Sequence, residues 1–190
     1  MLANYRRSLL VSAIIIIAGG FAASDLRLSA WQGLLPFFEW METSLFGHIS
    51  KTWGAAFAIV EAFHLLGLAL LGGAVLLADG RLLNLWFREQ PAQQIEQQSQ
   101  RVFNAGLILL LATGSFMACG VAIKIYYMPV FWFKMLALAS GIAFTFGVRR
   151  PLLATDFDSI NPWTLKLLAS ASLMVWFSVA ATGRWIGFSG

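Results

Sequence analysis

The chain has 190 residues, of which 59% are hydrophobic and only 12% are charged. A water-soluble domain of this size needs more polar surface, so the composition excludes an ordinary soluble enzyme and indicates an integral membrane protein. The formal net charge of +4 does not indicate nucleic-acid binding, because the few basic residues flank apolar segments, as topology signals do.

Five apolar stretches are each close to the roughly 20 residues that cross a bilayer as a helix. They cover residues 8–23, 52–78, 102–123, 132–148 and 163–188. The first follows two arginines and has features of a secretory signal, but we interpret it as a retained helix. The predicted fold class is therefore all-α. It is an integral membrane helix bundle of five transmembrane helices, a four-helix core plus an N-terminal helix, in a single domain.

Three of the more polar stretches also give predictions. Residues 34–50 carry apolar side chains at helical spacing, with polar residues between them, and this predicts an amphipathic helix on the outer interface. A short packed lid without a separate role is the alternative. Residues 90–100 are rich in Gln and predict a cytoplasmic linker or a short solvated helix. Asp79 and Arg81, at the end of the second span, predict a local cap and ion pair.

The basic residues are distributed unequally between the two sides of the predicted bundle. One side carries Arg6, Arg7, Arg81, Arg88, Arg101, Arg149 and Arg150, and the other carries Arg27, Lys51 and Lys124. Because cytoplasmic loops are enriched in Lys and Arg, the arginine-rich side is predicted to be cytoplasmic. The N-terminus is then cytoplasmic and the C-terminus periplasmic.

Glu61 and His64 are ionisable residues inside the second span, where a buried charge is costly enough to indicate a functional site. On a helix they are separated by roughly 4.5 Å of rise and about 60° of rotation, so both can face one neighbour. His64 is a candidate ligand for a metal or a haem iron, with Glu61 as a co-ligand, an orienting group or a proton relay. The alternative is that hydrogen bonds, to each other or to a hydroxyl on another helix, simply satisfy both groups.

Lys134 and Arg184 lie near the outer ends of the fourth and fifth spans. If both converge with Glu61 and His64, the four residues suit a cofactor with acidic groups, such as the propionates of haem, or a quinone head group. The alternative is that the two cations reach out to lipid head groups. A haem would lack a second histidine ligand, because His48 is about 24 Å from His64 on a continuous helix.

Three motifs resemble those of an uncharacterised family of small bacterial membrane proteins, domain of unknown function 6644. They are Glu61-Ala-Phe-His64-Leu-Leu-Gly67 running on to Asp79-Gly-Arg81-Leu-Leu, Pro129-Val-Phe131-Trp-Phe-Lys134, and Ser172-Leu-Met-Val-Trp176 through Gly183-Arg184-Trp-Ile-Gly187. The resemblance covers residues 34–188. It implies a compact bundle with an intramembrane histidine and no assigned activity. The four-helix core is similar in outline to bacterial b-type cytochromes and copper-resistance membrane proteins, which is an analogy of fold alone.

We therefore expect a bacterial inner-membrane protein, a small electron-transfer or cofactor-binding subunit, that holds a b-type haem or a quinone at His64. Lys134 and Arg184 would bind the acidic groups of that cofactor, and no catalytic activity of its own is expected. Its partners would be the lipid bilayer and other membrane protein subunits, but not nucleic acid. Two alternatives remain open. One is a structural accessory subunit without a cofactor, and the other is a small metal- or solute-handling membrane protein with His64 as a metal ligand.

Overall fold

A computed structural model describes residues 26–154 and 160–188, and all regular structure within these ranges is helical. Six helices in these ranges are purely α-helical: α1 (Leu26–Thr43), α2 (Leu45–Thr52), α3 (Gly54–Leu82), α4 (Ala92–Gly120), α5 (Ala122–Tyr126) and α7 (Pro162–Ile186). Helix α6 begins as Pro129–Phe144, continues through a π-helical turn, Thr145–Arg149, and ends with Arg150–Leu153. The predicted first span, residues 8–23, lies outside the described residues.

Four of these helices are long and apolar enough to cross a membrane. They are α3 and α4, with 29 residues each, and α6 and α7, with 25 residues each. Only 11–28% of the most apolar stretch of each helix is buried inside the protein, so most of its apolar surface faces outward, as lipid contact requires. The prediction of an all-helical membrane bundle with a four-helix core is confirmed for these helices.

Helices α3 and α4 share the most extensive contact of the bundle. Gly67 and Gly106 meet there, and a Cβ atom on Gly106 would lie 2.9 Å from the backbone nitrogen of Leu71. Small residues at such a contact let two helix backbones approach closely. Helix α7 closes the same interface, and the apolar core beside the glycines consists of Leu71, Ala74, Val75, Phe103, Leu107, Trp176 and Val179.

Helix α3 ends in a Schellman motif. The Leu85 amide donates to the Gly80 carbonyl at 2.9 Å, and the Asn84 amide donates to the Arg81 carbonyl at 3.1 Å. Asn84 adopts φ 58°, the left-handed conformation that this motif needs and that Asn tolerates better than most residues. The side chain of Arg81 then bonds back to the connecting loop, to the Asn84 side chain and the Gln90 carbonyl.

At the opposite end of the bundle, α1 and α2 pack against α4 and α5. Residues 34–50 belong to two helices, α1 and α2. Ser44 lies between them, and its side chain caps α2 by accepting a hydrogen bond from the Gly47 amide. Glu42 forms an ion pair with Lys51 and accepts a hydrogen bond from the Ile123 amide at 2.6 Å. The Lys51 ammonium and this amide hold the pKa of Glu42 below its usual range, because both stabilise the carboxylate.

The glycine contact between α3 and α4 gives a prediction about stability. Gly106→Ala is expected to lower the free energy of unfolding by about 1–3 kcal/mol, because the added methyl group overlaps the backbone of α3. Gly72→Ala is the matched control, since nothing lies within 4 Å of the position where its Cβ would be. Unfolding in mixed micelles by added SDS measures both variants. Equal losses in the two would contradict the close contact.

Candidate functional site

The half-buried imidazole of His64 lies between α3 and α4. It is ten residues from the first residue of α3, or about 15 Å along the helix axis, and therefore at membrane depth. Gly114 makes room for the ring, because a Cβ atom there would lie 3.2 Å from His64 Cε1. The Nδ1 atom of His64 is 2.8 Å from the hydroxyl oxygen of Thr113.

The hydrogen bonds around Thr113 determine the tautomer of His64. The Thr113 hydroxyl lies 2.6 Å from the Leu109 carbonyl and donates its single proton to that oxygen. It must then accept a proton from His64, so Nδ1 carries the hydrogen. The other ring nitrogen, Nε2, has a free lone pair and no hydrogen-bond partner among the described residues. A neutral imidazole held in this way can bind a metal ion or accept a hydrogen bond.

Lys134, on α6, completes what we call the His64 site: His64, Thr113 and Lys134. Its charge acts on the His64 imidazole, and its half-buried side chain runs past Gly183, where a Cβ atom would lie 3.6 Å from Lys134 Cε. Lys134 has no ion pair among the described residues. The site therefore pairs a hydrogen-bond acceptor with an unneutralised cation, in a setting where four helices meet.

Glu61 and Arg184, the other two candidate residues, are both exposed. Glu61 points away from the bundle and forms no hydrogen bond or ion pair with the described residues. The guanidinium of Arg184 stacks on the Phe188 ring, with 4.6 Å between Cζ and the ring centroid. Lys134 is thus near enough for its charge to act on His64, whereas Glu61 and Arg184 lie on the surface of the bundle.

A second polar group lies at the other end of the bundle and was not expected from the sequence. We call it the arginine triad. The Nη2 atom of Arg149 lies 2.8 Å from Asp79 Oδ1 and 2.8 Å from Glu96 Oε2. The exposed fractions of these three residues are 6%, 0% and 4%, so the ion pairs are shielded from water. They join α6 to the last turns of α3 and the first turns of α4.

The triad corrects two predictions. Asp79 does not form a local ion pair with Arg81, because the Schellman turn directs Arg81 toward the loop and leaves Asp79 facing the bundle interior. For the Gln-rich stretch 90–100, the linker alternative is wrong and the helix alternative is right in part, because from Ala92 onward the stretch is helical but forms the first turns of the long helix α4. One signal was available in the sequence. Glu96 lies at helical spacing on the same buried stripe as Ser99, Phe103 and Gly106.

Within residues 26–154 and 160–188, no three His, Cys, Asp or Glu side chains lie close enough together to hold a metal ion. A metal at His64 would therefore take its other ligands from outside this set of side chains.

The two polar groups, the His64 site and the arginine triad, differ in whether they leave a group available to a ligand. The three charged groups of the arginine triad are paired with one another, whereas the His64 site offers a lone pair and an ammonium without partners among the described residues.

The arginine triad gives a prediction about stability. Arg149→Met leaves two buried carboxylates without a countercharge and is expected to lower the free energy of unfolding by about 3–5 kcal/mol. The triple variant with Asp79→Leu and Glu96→Leu is expected to recover most of that loss. Arg101→Met, at an exposed position of α4, serves as the control and is expected to change little. SDS titration in mixed micelles gives all three values. Similar losses for Arg149→Met and Arg101→Met would contradict a structural role for the triad.

In a comparison with protein families, residues 37–189 match the model of a family of unknown function, DUF6644. Comparison with curated proteins gives no match, and comparison with solved structures gives none either. The matched segment runs from α1 through the whole of the described bundle, and it includes the His64 site and the arginine triad. The chain therefore belongs to the DUF6644 family of unknown function.

Proposed function

We propose that this chain is a small cofactor-binding subunit of a bacterial inner membrane that takes part in electron transfer. The observation that carries this proposal is the free Nε2 lone pair of His64, together with the ammonium of Lys134, which is near enough for its charge to act on the imidazole. An intramembrane histidine and lysine that neutralise no partner are expensive to keep, so a bound group that uses both offers a physical reason for them. The protein is proposed to have no catalytic activity on its own.

The residues suit both candidate cofactors, a quinone and a b-type haem. Nε2 of His64 can accept a hydrogen bond from a quinol hydroxyl or ligate an iron, and Lys134 can donate to a quinone carbonyl or pair with a propionate. A quinone head group needs no second imidazole. A haem would lack a second imidazole ligand, because the sequence has only two histidines and the other, His48, is exposed on α2. We therefore place the quinone first.

The exposed positions of Glu61 and Arg184 give them lesser roles in this proposal. Arg184 lies near the end of α7, where it can bind an acidic group that projects beyond His64 and Lys134. Glu61 can act as a proton exchanger at the edge of the site, since it is one helical turn from His64 on α3. Neither residue is needed to explain the free lone pair at His64.

Cofactor analysis tests this proposal. The protein is purified in mild detergent, its visible absorption spectrum is recorded, and quinones are extracted into organic solvent and quantified. We expect either extracted quinone or a Soret band in an amount comparable to the protein. His64→Ala is expected to remove it. Thr113→Val, which keeps the shape but removes the hydroxyl that orients the ring, is expected to reduce occupancy roughly tenfold.

His48→Ala is the matched control, because that exposed histidine lies on α2 and outside the His64 site. It is expected to keep the full amount of cofactor. Absence of both cofactors from the unmodified protein would overturn the proposal, and so would an unchanged amount in His64→Ala.

A second candidate, a structural accessory subunit of a larger membrane complex, is favoured by Glu61. Its carboxylate is exposed among large apolar side chains of α3 that are also exposed, such as Phe63 and Leu65. A charge on a lipid-facing surface is costly, so a partner subunit that covers it would relieve that cost. A preparation without cofactor, whose larger assembly is lost on Glu61→Gln, would support this candidate over the first.

We further propose the orientation N-terminus cytoplasmic and C-terminus periplasmic. Among the described basic residues, Arg81, Arg88, Arg101, Arg149, Arg150 and Lys166 lie at one end of the bundle, and Lys51, Lys124 and Arg184 lie at the other. The positive-inside rule then favours the arginine-rich end as cytoplasmic.

Reporter fusions test this orientation. Alkaline phosphatase fused after residue 190 is expected to be active, because that enzyme folds only in the periplasm, and the same fusion within residues 83–91 is expected to be inactive. The reverse pattern of activities would overturn the proposed orientation.

A further inference from the structure

A small cleft lies beside the arginine triad, between α3, α4 and α6. Its polar lining comes from Ser99, Gln100, Thr145, Arg149 and Arg150, and its apolar lining from Ala74, Val75 and Phe103. The enclosed space, about 10 Å³, has room for about one water-sized group. It shares Arg149 with the triad, but neither carboxylate of the triad and no residue of the His64 site is among its lining residues.

The cleft is rich in hydrogen-bond donors that lack an acceptor. The Nε atoms of Arg149 and Arg150 are both buried and have no hydrogen-bond partner in the described part of the chain, and Arg149 is only 6% exposed. A buried donor without an acceptor costs about 1–3 kcal/mol, so two of them beside one small space call for an oxygen atom there. The ligand that fits must present an acceptor.

The two arginines of the cleft differ in their direct partners. Both carboxylates of the triad contact Arg149, on the same atom, Nη2. Arg150 has no carboxylate within ion-pair distance among the described residues. It donates instead to the neutral side chain of Asn104 and lies over the Phe146 ring, 4.1 Å from the centroid. Its guanidinium therefore has no charge-assisted hydrogen bond of its own, although Glu96 acts on it at longer range, and an anionic acceptor would bind it more strongly than a neutral one.

The position of Arg150 allows such a ligand to enter from the surface of the bundle. Arg150 is half-buried, and the neighbouring Phe146 is 42% exposed. Because the space holds only one water-sized group, a phosphate would insert a single oxygen and keep the rest of the group outside. Basic pockets between membrane helices at the cytoplasmic side are a known mode of binding lipid head groups.

We propose that the cleft formed by Ser99, Gln100, Arg149 and Arg150 binds a phosphate group, supplied by an anionic lipid head group or by free phosphate. Arg149 and Arg150 donate to the inserted oxygen, and Arg150 neutralises the negative charge. This proposal is independent of the function proposed for His64, because His64 is fifteen residues, or about 22 Å, along α3 from Asp79 of the triad.

Binding measurements on the full chain test the proposal. Delipidated protein in detergent is titrated with phosphatidylglycerol, with inorganic phosphate, and with diacylglycerol, which has the same tails but lacks phosphate. Binding is followed by native mass spectrometry and by the rise in unfolding temperature. We expect phosphatidylglycerol or phosphate to bind, and diacylglycerol not to bind at the same concentration.

Arg150→Gln is expected to weaken binding about tenfold or more, because it removes one charge-assisted hydrogen bond. Arg101→Gln is the matched control, since this exposed arginine of α4 does not line the cleft, and it is expected to bind as the unmodified protein does. Ser99→Val, which fills the space but keeps both arginines, is expected to weaken binding similarly. It serves as the second variant if Arg150→Gln does not fold.

The three ligands distinguish the sources of the phosphate group. Binding of phosphatidylglycerol that inorganic phosphate does not displace identifies a lipid site, and displacement by millimolar phosphate identifies a site for the free ion. The proposal is overturned if neither ligand binds, if diacylglycerol binds equally well, or if Arg150→Gln and Ser99→Val bind as Arg101→Gln does. In those cases the cleft holds water alone.

Discussion

The bundle depends on one buried cation, Arg149, held between two buried carboxylates. Removing three charged groups from water costs several kcal/mol for each ion, and that cost is recovered only when the ions meet in good geometry. Asp79, Glu96 and Arg149 come from three different helices, so they can meet only when α3, α4 and α6 have one particular depth and rotation. The interaction therefore selects one packing of these helices, where apolar contacts alone would allow sliding.

The glycine contact between α3 and α4 acts together with this triad. Gly67 and Gly106 bring the two backbones together in the middle of the helices, and the triad aligns the ends of the same two helices. With their distance and their register both set, the hydroxyl of Thr113 on α4 is placed against the ring of His64 on α3. The tautomer of His64, and with it the free Nε2, is thus a local result of how the two helices are fastened elsewhere.

The sequence was sufficient to predict the four membrane helices, because hydropathy over about 20 residues depends on composition and not on contacts. It was insufficient for the partners of polar residues. The nearest basic residue to Asp79 along the chain is Arg81, yet Asp79 forms its ion pair with Arg149, 70 positions away. Glu96 was masked by the glutamines around it, and its position on the buried stripe of α4 became meaningful only once the helix was known to begin at Ala92. For His64, a hydroxyl on another helix was one of the alternatives, but nothing in the sequence distinguished Thr113 from other hydroxyls.

The π-helical turn at Thr145–Arg149 has a consequence for how one helix serves two ends of the molecule. Lys134 and Arg149 are fifteen residues apart, which on a regular α-helix leaves them about 60° out of phase around the axis. A π turn is wider and advances less per residue, so it rotates Arg149 back toward the face that carries Lys134. The π turn thus changes the rotation of one end of α6 relative to the other. A single helix can therefore present one cation to the imidazole near one end and another to the paired carboxylates near the other.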